Sequence, residues 1–180
     1  MNRRYFLGMA LSAAAAPVAA SPFFSRRSAE RPRVLSFRHL HTDEWVDVTY
    51  RIGDTYQRSA LLRLNQFFRD FRTGDVTTMD PQLFDILYDL KLRLGDPDAR
   101  FDVISAYRSP ATNARLRKAS RGVAKNSLHL HGQAIDVRFP DLSTRRLRDA
   151  AVSLGRGGVG YYRRSDFVHL DTGAVRSWGA

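Results

Sequence analysis

Cysteine is missing from all 180 residues of the sequence. Its absence excludes disulfides, thiolate metal ligands, a cysteine nucleophile and lipid attachment at an N-terminal cysteine. Any metal site must then be assembled from His, Asp and Glu. Histidine is itself scarce: there are five, His39, His41, His129, His131 and His169. Acidic residues are in deficit, 18 Asp plus Glu against 29 Lys plus Arg, for a formal net charge of +11. Such a balance suits nucleic acid, an anionic membrane or an anionic polymer such as a cell-wall glycopeptide, and charge alone does not choose among them. The basic residues are mostly scattered Arg, and no nucleic-acid-binding module is recognisable, which argues against DNA or RNA as a partner. Internal repeats are lacking too.

The apolar stretch from Met9 to Ala20, with its flanks, runs about fifteen residues, short of the roughly twenty needed for a permanent membrane helix. Preceded by Asn2-Arg3-Arg4 and ending in Val18-Ala19-Ala20, it reads as a secretory signal over residues 1–20. Arg3-Arg4 followed by Tyr5-Phe6-Leu7 resembles a twin-arginine signal, which exports folded proteins, with a Sec signal as the alternative. Residues 21–32 are polar and basic with Pro22 and Pro32, and read as a flexible leader. Residues 33–180 are expected to form one domain, with no stable membrane span in the mature protein. A hydrophobic content of 43% is sufficient for a single core.

Within that domain, Val34–Leu40 and Trp45–Ile52 are β-rich runs that predict a hairpin, with His39 and His41 as a surface feature of it. Leu61, Leu62, Leu64, Phe67, Phe68 and Phe71 form a helical stripe over Ser59–Phe71. Asp80-Pro81 starts a second helix that continues to Gly95. Strands are expected at Phe101–Tyr107, Ala134–Phe139, Phe167–Leu170 and Val175–Trp178. Short helices are expected at Pro110–Lys118 and after a Ser143 cap, and a glycine-rich turn at residues 155–160. The fold class is α+β, a small and mainly antiparallel sheet with flanking helices on one face.

Three histidines fall in the second half, beside Asp136 and Asp166. His129 and Asp136 are separated by Gly132, where a turn can bring them together, and His169 comes from a later strand. Two His and one carboxylate suit Zn²⁺, and three protein ligands leave a fourth position open. A lone His on a strand is more often simply hydrogen-bonded, so spacing by itself leaves the point open.

Ser127, His129, Gly132, Ala134 and Asp136 match the Ser-x-His-x-x-Gly-x-Ala-x-Asp signature of the zinc D-Ala-D-Ala peptidases, in the superfamily of lysostaphin-type enzymes and the hedgehog domain. Ser105-Ala106-Tyr107-Arg108-Ser109, Gly157–Tyr162 and Phe167–Gly173 resemble further motifs of that family. The chain is most similar in these motifs to the twin-arginine-exported periplasmic murein endopeptidases. The resemblance implies a hedgehog/D-Ala-D-Ala-peptidase-like fold and one zinc per chain, held by His129, Asp136 and His169. It implies Arg108 facing the scissile carbonyl, and Asp166, three residues before the last ligand, as general base in place of the Glu of many relatives. Tyr107, Ser127 and His131 are expected to face substrate; His131 could instead support or replace a ligand. Asp171 could fix an imidazole tautomer or serve only as a turn residue. The implied protein is a periplasmic, monomeric zinc metallopeptidase acting on peptidoglycan stem-peptide cross-links. The alternatives are a D,D- or L,D-carboxypeptidase and a non-catalytic zinc domain that binds cell wall.

Overall fold

A computed structural model describes residues 31–120 and 122–179. The expected signal and most of the expected leader lie outside the described residues. Among the described residues no helix is long and apolar enough to cross a membrane.

The chain begins with two long antiparallel strands, β1 (Pro32–His39) and β2 (Trp45–Ile52), and a two-residue strand β3 (Thr55–Tyr56). Helices α1 (Arg58–Phe67) and α2 (Pro81–Arg93) follow, then β4 (Arg100–Ser105), α3 (Pro110–Ala119) and a 3-10 turn at Leu128–His131. The closing part contains β5 (Ala134–Arg138), α4 (Thr144–Leu154), β6 (Gly158–Tyr162), β7 (Phe167–Asp171) and β8 (Arg176–Trp178). All eight strands join one sheet in the order β3-β2-β1-β4-β5-β7-β6-β8. Most neighbours are antiparallel; β1–β4 and β6–β8 are parallel. The sheet is therefore mixed, and broader than the small sheet expected from sequence.

Alternation along the strands sorts the two faces. Leu35 and Phe37, Phe101 and Val103, Ile135 and Val137, and Val168 and Leu170 are all buried in one core. Leu64 and Phe67 of α1, Leu83, Leu87 and Leu90 of α2, and Leu147 and Ala151 of α4 pack into the same core. The other parity of β5 and β7 presents Asp136, His169 and Asp171 on the opposite face. His39 shares the core parity and is 1% exposed, packed edge-on against Phe67 and Phe71. The expected surface placement is thus corrected for His39: its Nδ1 accepts from the His41 backbone N–H at 3.2 Å, and burial lowers its pKa to about 4.

Helix boundaries follow local chemistry. The Asp80 carboxylate accepts from Gln82 N at 3.0 Å with Pro81 in the first turn, and Ser143 accepts from Arg146 N at 3.4 Å. α1 stops at Phe67, short of the predicted Phe71, as Phe68 leaves helical geometry to enter the core. The glycine-rich segment predicted as a turn is already strand from Gly158 onward.

Away from the second half, a buried carboxylate ties β1, β2, β3 and α2 together. Asp85 accepts from Tyr50 Oη at 2.8 Å, Tyr56 Oη at 2.6 Å, Arg51 Nη1 at 2.9 Å and Arg33 Nη1 at 3.1 Å. Burial alone would raise its pKa; the two phenols and Arg51 outweigh that and lower it.

Candidate metal centre

The sheet register builds the site. Asp136 on β5 is paired with His169 on β7, so the two side chains stand beside each other on the face away from the core and from α1, α2 and α4. The third residue comes from the 3-10 turn preceding β5. Gly132 ends that turn at φ +66°, a conformation that favours glycine, and a Cβ there would collide with the backbone at Thr78 and Met79. This reversal drops His129 over the start of β5.

The donor atoms converge. His129 Nε2 lies 3.2 Å from His169 Nδ1 and 3.3 Å from Asp136 Oδ1, and the last two are 2.9 Å apart. Tetrahedral zinc with ligands at roughly 2.0–2.1 Å has ligand–ligand edges of about 3.3 Å. All three residues are at least nine-tenths buried. Each imidazole is held by its far nitrogen: His129 Nδ1–H donates to the Ala106 carbonyl at 2.6 Å, and His169 Nε2–H donates to Asp171 Oδ2 at 3.0 Å. These bonds aim the lone pairs of His129 Nε2 and His169 Nδ1 at each other and at a carboxylate oxygen. Such an electron-rich triangle is favourable only around a cation or a proton, so the donor set fits a metal.

The protonation pattern agrees with that geometry. Burial lowers the His129 pKa against the pull of Asp136. Burial also opposes charge on His169, but hydrogen bonds to Asp136 and Asp171 outweigh it and raise its pKa to about 9. Burial would raise the Asp136 pKa, yet the charges and bonds of His129 and His169 hold it well below the usual carboxylate range.

Asp171 is fully buried. Its Oδ1 accepts from Gly158 N, Gly173 N and Arg176 Nη1 at 3.0, 2.9 and 3.0 Å, and its Oδ2 accepts from Arg176 Nη2 at 2.7 Å besides His169. Burial would raise its pKa too, but His169 and Arg176 hold it far below the ordinary value. Trp178 lies against the His169 ring at 5.2 Å between centroids.

These groups open into a cavity of about 330 Å³. One wall is the loop from Ser120 to Ser127, excluding the undescribed residue 121; the other is Tyr162, Phe167 and Trp178. Arg108 and Ser127 line it as well. Arg108 Nη2 is 3.8 Å from Asp136 Oδ2, Nη1 donates to Asn113 Oδ1 at 3.4 Å, and the buried Nε has no partner among the described residues. The turn that carries Arg108 is anchored by Asp70, which accepts from Ser109 N at 3.0 Å and Ser109 Oγ at 2.7 Å. Asn113 Nδ2 donates to the carbonyls of Ala124 and Lys125, tying the loop wall to the same corner.

Other expected site residues stand elsewhere. Asp166 does not line the cavity: it sits in a turn at φ +52°, 62% exposed, accepting from Thr144 Oγ1 at 2.9 Å and Arg138 Nη1 at 3.5 Å. The turn places it before β7 begins, so the offset of three from His169 does not carry it onto the metal face. His131 is exposed and Tyr107 half-buried, and neither lines the cavity. Arg176, Trp178, Asn113 and Asp70 were not among the residues singled out from sequence. Gly158 and Gly160 were the one signal available for the first two, since paired glycines in a strand mark a close approach.

Two histidines and a carboxylate at the floor of an arginine-lined cavity define a candidate metallohydrolase centre. The profile of the family described as peptidoglycan L,D-endopeptidase MepK matches residues 27–178, and the chain belongs to that family. It is 44% identical over 177 residues to the peptidoglycan L,D-endopeptidase MepK of Escherichia coli (strain K12), covering 98% of this chain and 97% of the relative. The same identity relates it to the protein of that name from Shigella flexneri. A probable peptidoglycan L,D-endopeptidase MepK from Haemophilus influenzae is 39% identical over 177 residues, covering 98% and 95% of the two chains.

Proposed function

We propose that the protein is a zinc-dependent murein endopeptidase that hydrolyses an L,D peptide cross-link between peptidoglycan stem peptides. The observation that carries this reading is the convergence of His129 Nε2, Asp136 Oδ1 and His169 Nδ1 within 2.9–3.3 Å on the cavity floor. Family membership supplies the substrate class, since the relatives' names specify peptidoglycan and an L,D bond. A substrate in that compartment supports export through the Arg3-Arg4 signal to the periplasm.

One zinc per chain would be held by His129, Asp136 and His169. When bound, zinc supplies Lewis acidity toward an amide carbonyl and toward water. Arg108 is placed to donate N–H to the oxygen of a carbonyl as negative charge develops on it, because its Nε is buried and unpartnered beside Asp136. Ala106 O and Asp171 keep both imidazoles in the tautomers that face the cavity. Asp171 is engaged by five donors and Asp166 stands outside the cavity, so neither is assigned the proton transfer.

The test is digestion of purified cross-linked muropeptide dimers by the mature protein, followed by mass spectrometry. Dimers are expected to become monomers, chelation to stop the reaction, and one equivalent of zinc to restore it. Trimming of monomer stems in place of dimer cleavage would make it a carboxypeptidase. Sacculus binding without hydrolysis would make it a non-catalytic domain.

A further inference from the structure

Strand β8 reaches the metal centre by lying over glycines. Gly158 and Gly160 of β6 pair with Arg176 and Trp178 of β8. A Cβ on Gly158 would strike the Arg176 guanidinium, and one on Gly160 would stand 2.5 Å from the Trp178 ring. Without those side chains, Arg176 and Trp178 extend across β6 to Asp171 and His169 on β7.

The outcome is a graded wall along β7. Phe167 with Tyr162, stacked at 4.5 Å, forms one end; His169 with Trp178 forms the middle; Asp171 with Arg176 forms the other end. Each level is two residues from the next, about 7 Å along a strand. The wall is therefore aromatic on one side of the metal position and ends on the other in the Asp171–Arg176 ion pair, of which the guanidinium is the exposed member.

Arg176 is not used up by its partners. It meets Asp171 through its Nη1–Nη2 edge, and Nη1 also donates to the Ala174 carbonyl. Its Nε makes no hydrogen bond among the described residues, the side chain is 44% exposed, and it lines the cavity. A guanidinium carries five N–H groups, so the Nε–Nη2 edge is left to take a second carboxylate. Its plane lies over Trp178 at 5.0 Å, which holds that edge in place.

The endopeptidase reading gives this edge a use, and the inference rests on that reading. In an L,D cross-link the scissile carbonyl belongs to an L-configured centre. A diamino dicarboxylic acid at that position would provide such a centre and would carry, at the far end of its aliphatic chain, a second carboxylate roughly 7 Å away by bond lengths. A link made through a D-alanine carbonyl has only a methyl group there. We propose that Arg176 is a specificity-determining residue that binds this distal carboxylate, with the methylenes of the same residue lying on Trp178.

Two soluble cross-linked dimers decide the matter, identical except that the distal carboxylate is free in one and amidated in the other. The wild type is expected to favour the free carboxylate at least tenfold in kcat/KM, mostly through KM. Arg176→Gln is expected to bring that ratio close to one, and Arg176→Lys to recover part of it, with zinc content measured on every sample. If Arg176 served only to hold Asp171, Arg176→Gln would slow both dimers equally, and that result overturns the proposal. So does a wild type that cleaves both dimers alike, a measurement that needs no variant to fold. A wild type that cleaves neither dimer would instead remove the endopeptidase reading, and the proposal with it.

Discussion

Metal binding should release close to one proton at neutral pH, and the proton should come from His169. In the metal-free site the His169 pKa is raised to about 9, whereas that of His129 is lowered and Asp136 is held ionised. At pH 7, then, His129 and Asp136 already present free lone pairs and His169 does not. With the His169 pKa raised that far, the apparent affinity at pH 7 should fall on the order of 100-fold below its limit. Affinity should climb about tenfold per pH unit up to about pH 9 and then level off. Calorimetric titration in two buffers of different ionisation enthalpy measures the proton count directly. Affinity that does not change between pH 7 and 9, or release of no proton or of two, would refute the assignment. The same shift acts on folding. A raised His169 pKa contributes stability to the metal-free protein that is fully present below about 6.5 and is lost as pH rises through about 9, about 3 kcal/mol in all. The depressed Asp136 and Asp171 pKa values contribute stability present above about 4 and lost as pH falls. The lowered His39 and His129 pKa values contribute stability that is lost as pH falls below about 6.5, so metal-free protein should melt highest near pH 6.5, and metal should remove the decline above it.

Asp166→Ala should leave dimer hydrolysis within about threefold of wild type, since its oxygens face Thr144 and Arg138; a fall of two orders of magnitude in kcat would return it to the role of base. Asp171→Asn should weaken zinc affinity about 10–100-fold in a chelator competition, because the amide cannot accept the His169 proton and the Arg176 fork together. Gly160→Ala should displace Trp178 from His169 and lower activity with little change in helix content, read by kinetics beside circular dichroism. Asp85→Ala should cost about 1–3 kcal/mol in denaturant unfolding by taking the acceptor from the Tyr50 and Tyr56 hydroxyls, with Arg51 left to Asp54 and Arg33 to Asp89, while zinc affinity stays unchanged.

What could be read in advance depended on how local the cause was. The Asp80 and Ser143 caps and the alternation in β1, β5 and β7 are short-range patterns, and the elements stand close to their expected bounds. His129, Gly132 and Asp136 lie within eight residues, so a signature can carry their relation, and the structure gathers them with His169. Asp166 shows the limit of offset reasoning. In an extended strand an offset of three faces the other side of the sheet from His169, so only a particular turn could bring Asp166 to the metal, and the left-handed turn present aims its carboxylate at Thr144 and Arg138. His39 depended on which strand parity faced the core. Arg176 and Trp178 were illegible for a different reason. Their contacts cross from β8 over β6 to β7 through a parallel pairing that no local periodicity encodes.

The Asp85 hub lies in the β1–β2–β3–α2 end of the sheet, whereas every metal donor belongs to β5, β7 or the turn before β5. That end of the sheet is therefore held by residues that take no part in the metal centre. Substitutions around the hub should change how long the protein survives and how much of it accumulates, with each surviving molecule as competent as before. Substitutions at exposed positions of the cavity walls can alter which bond is chosen while the hub goes on supplying its share of stability. A lineage built this way is free to explore new cross-link chemistries at one end of its sheet while the other end keeps the fold intact.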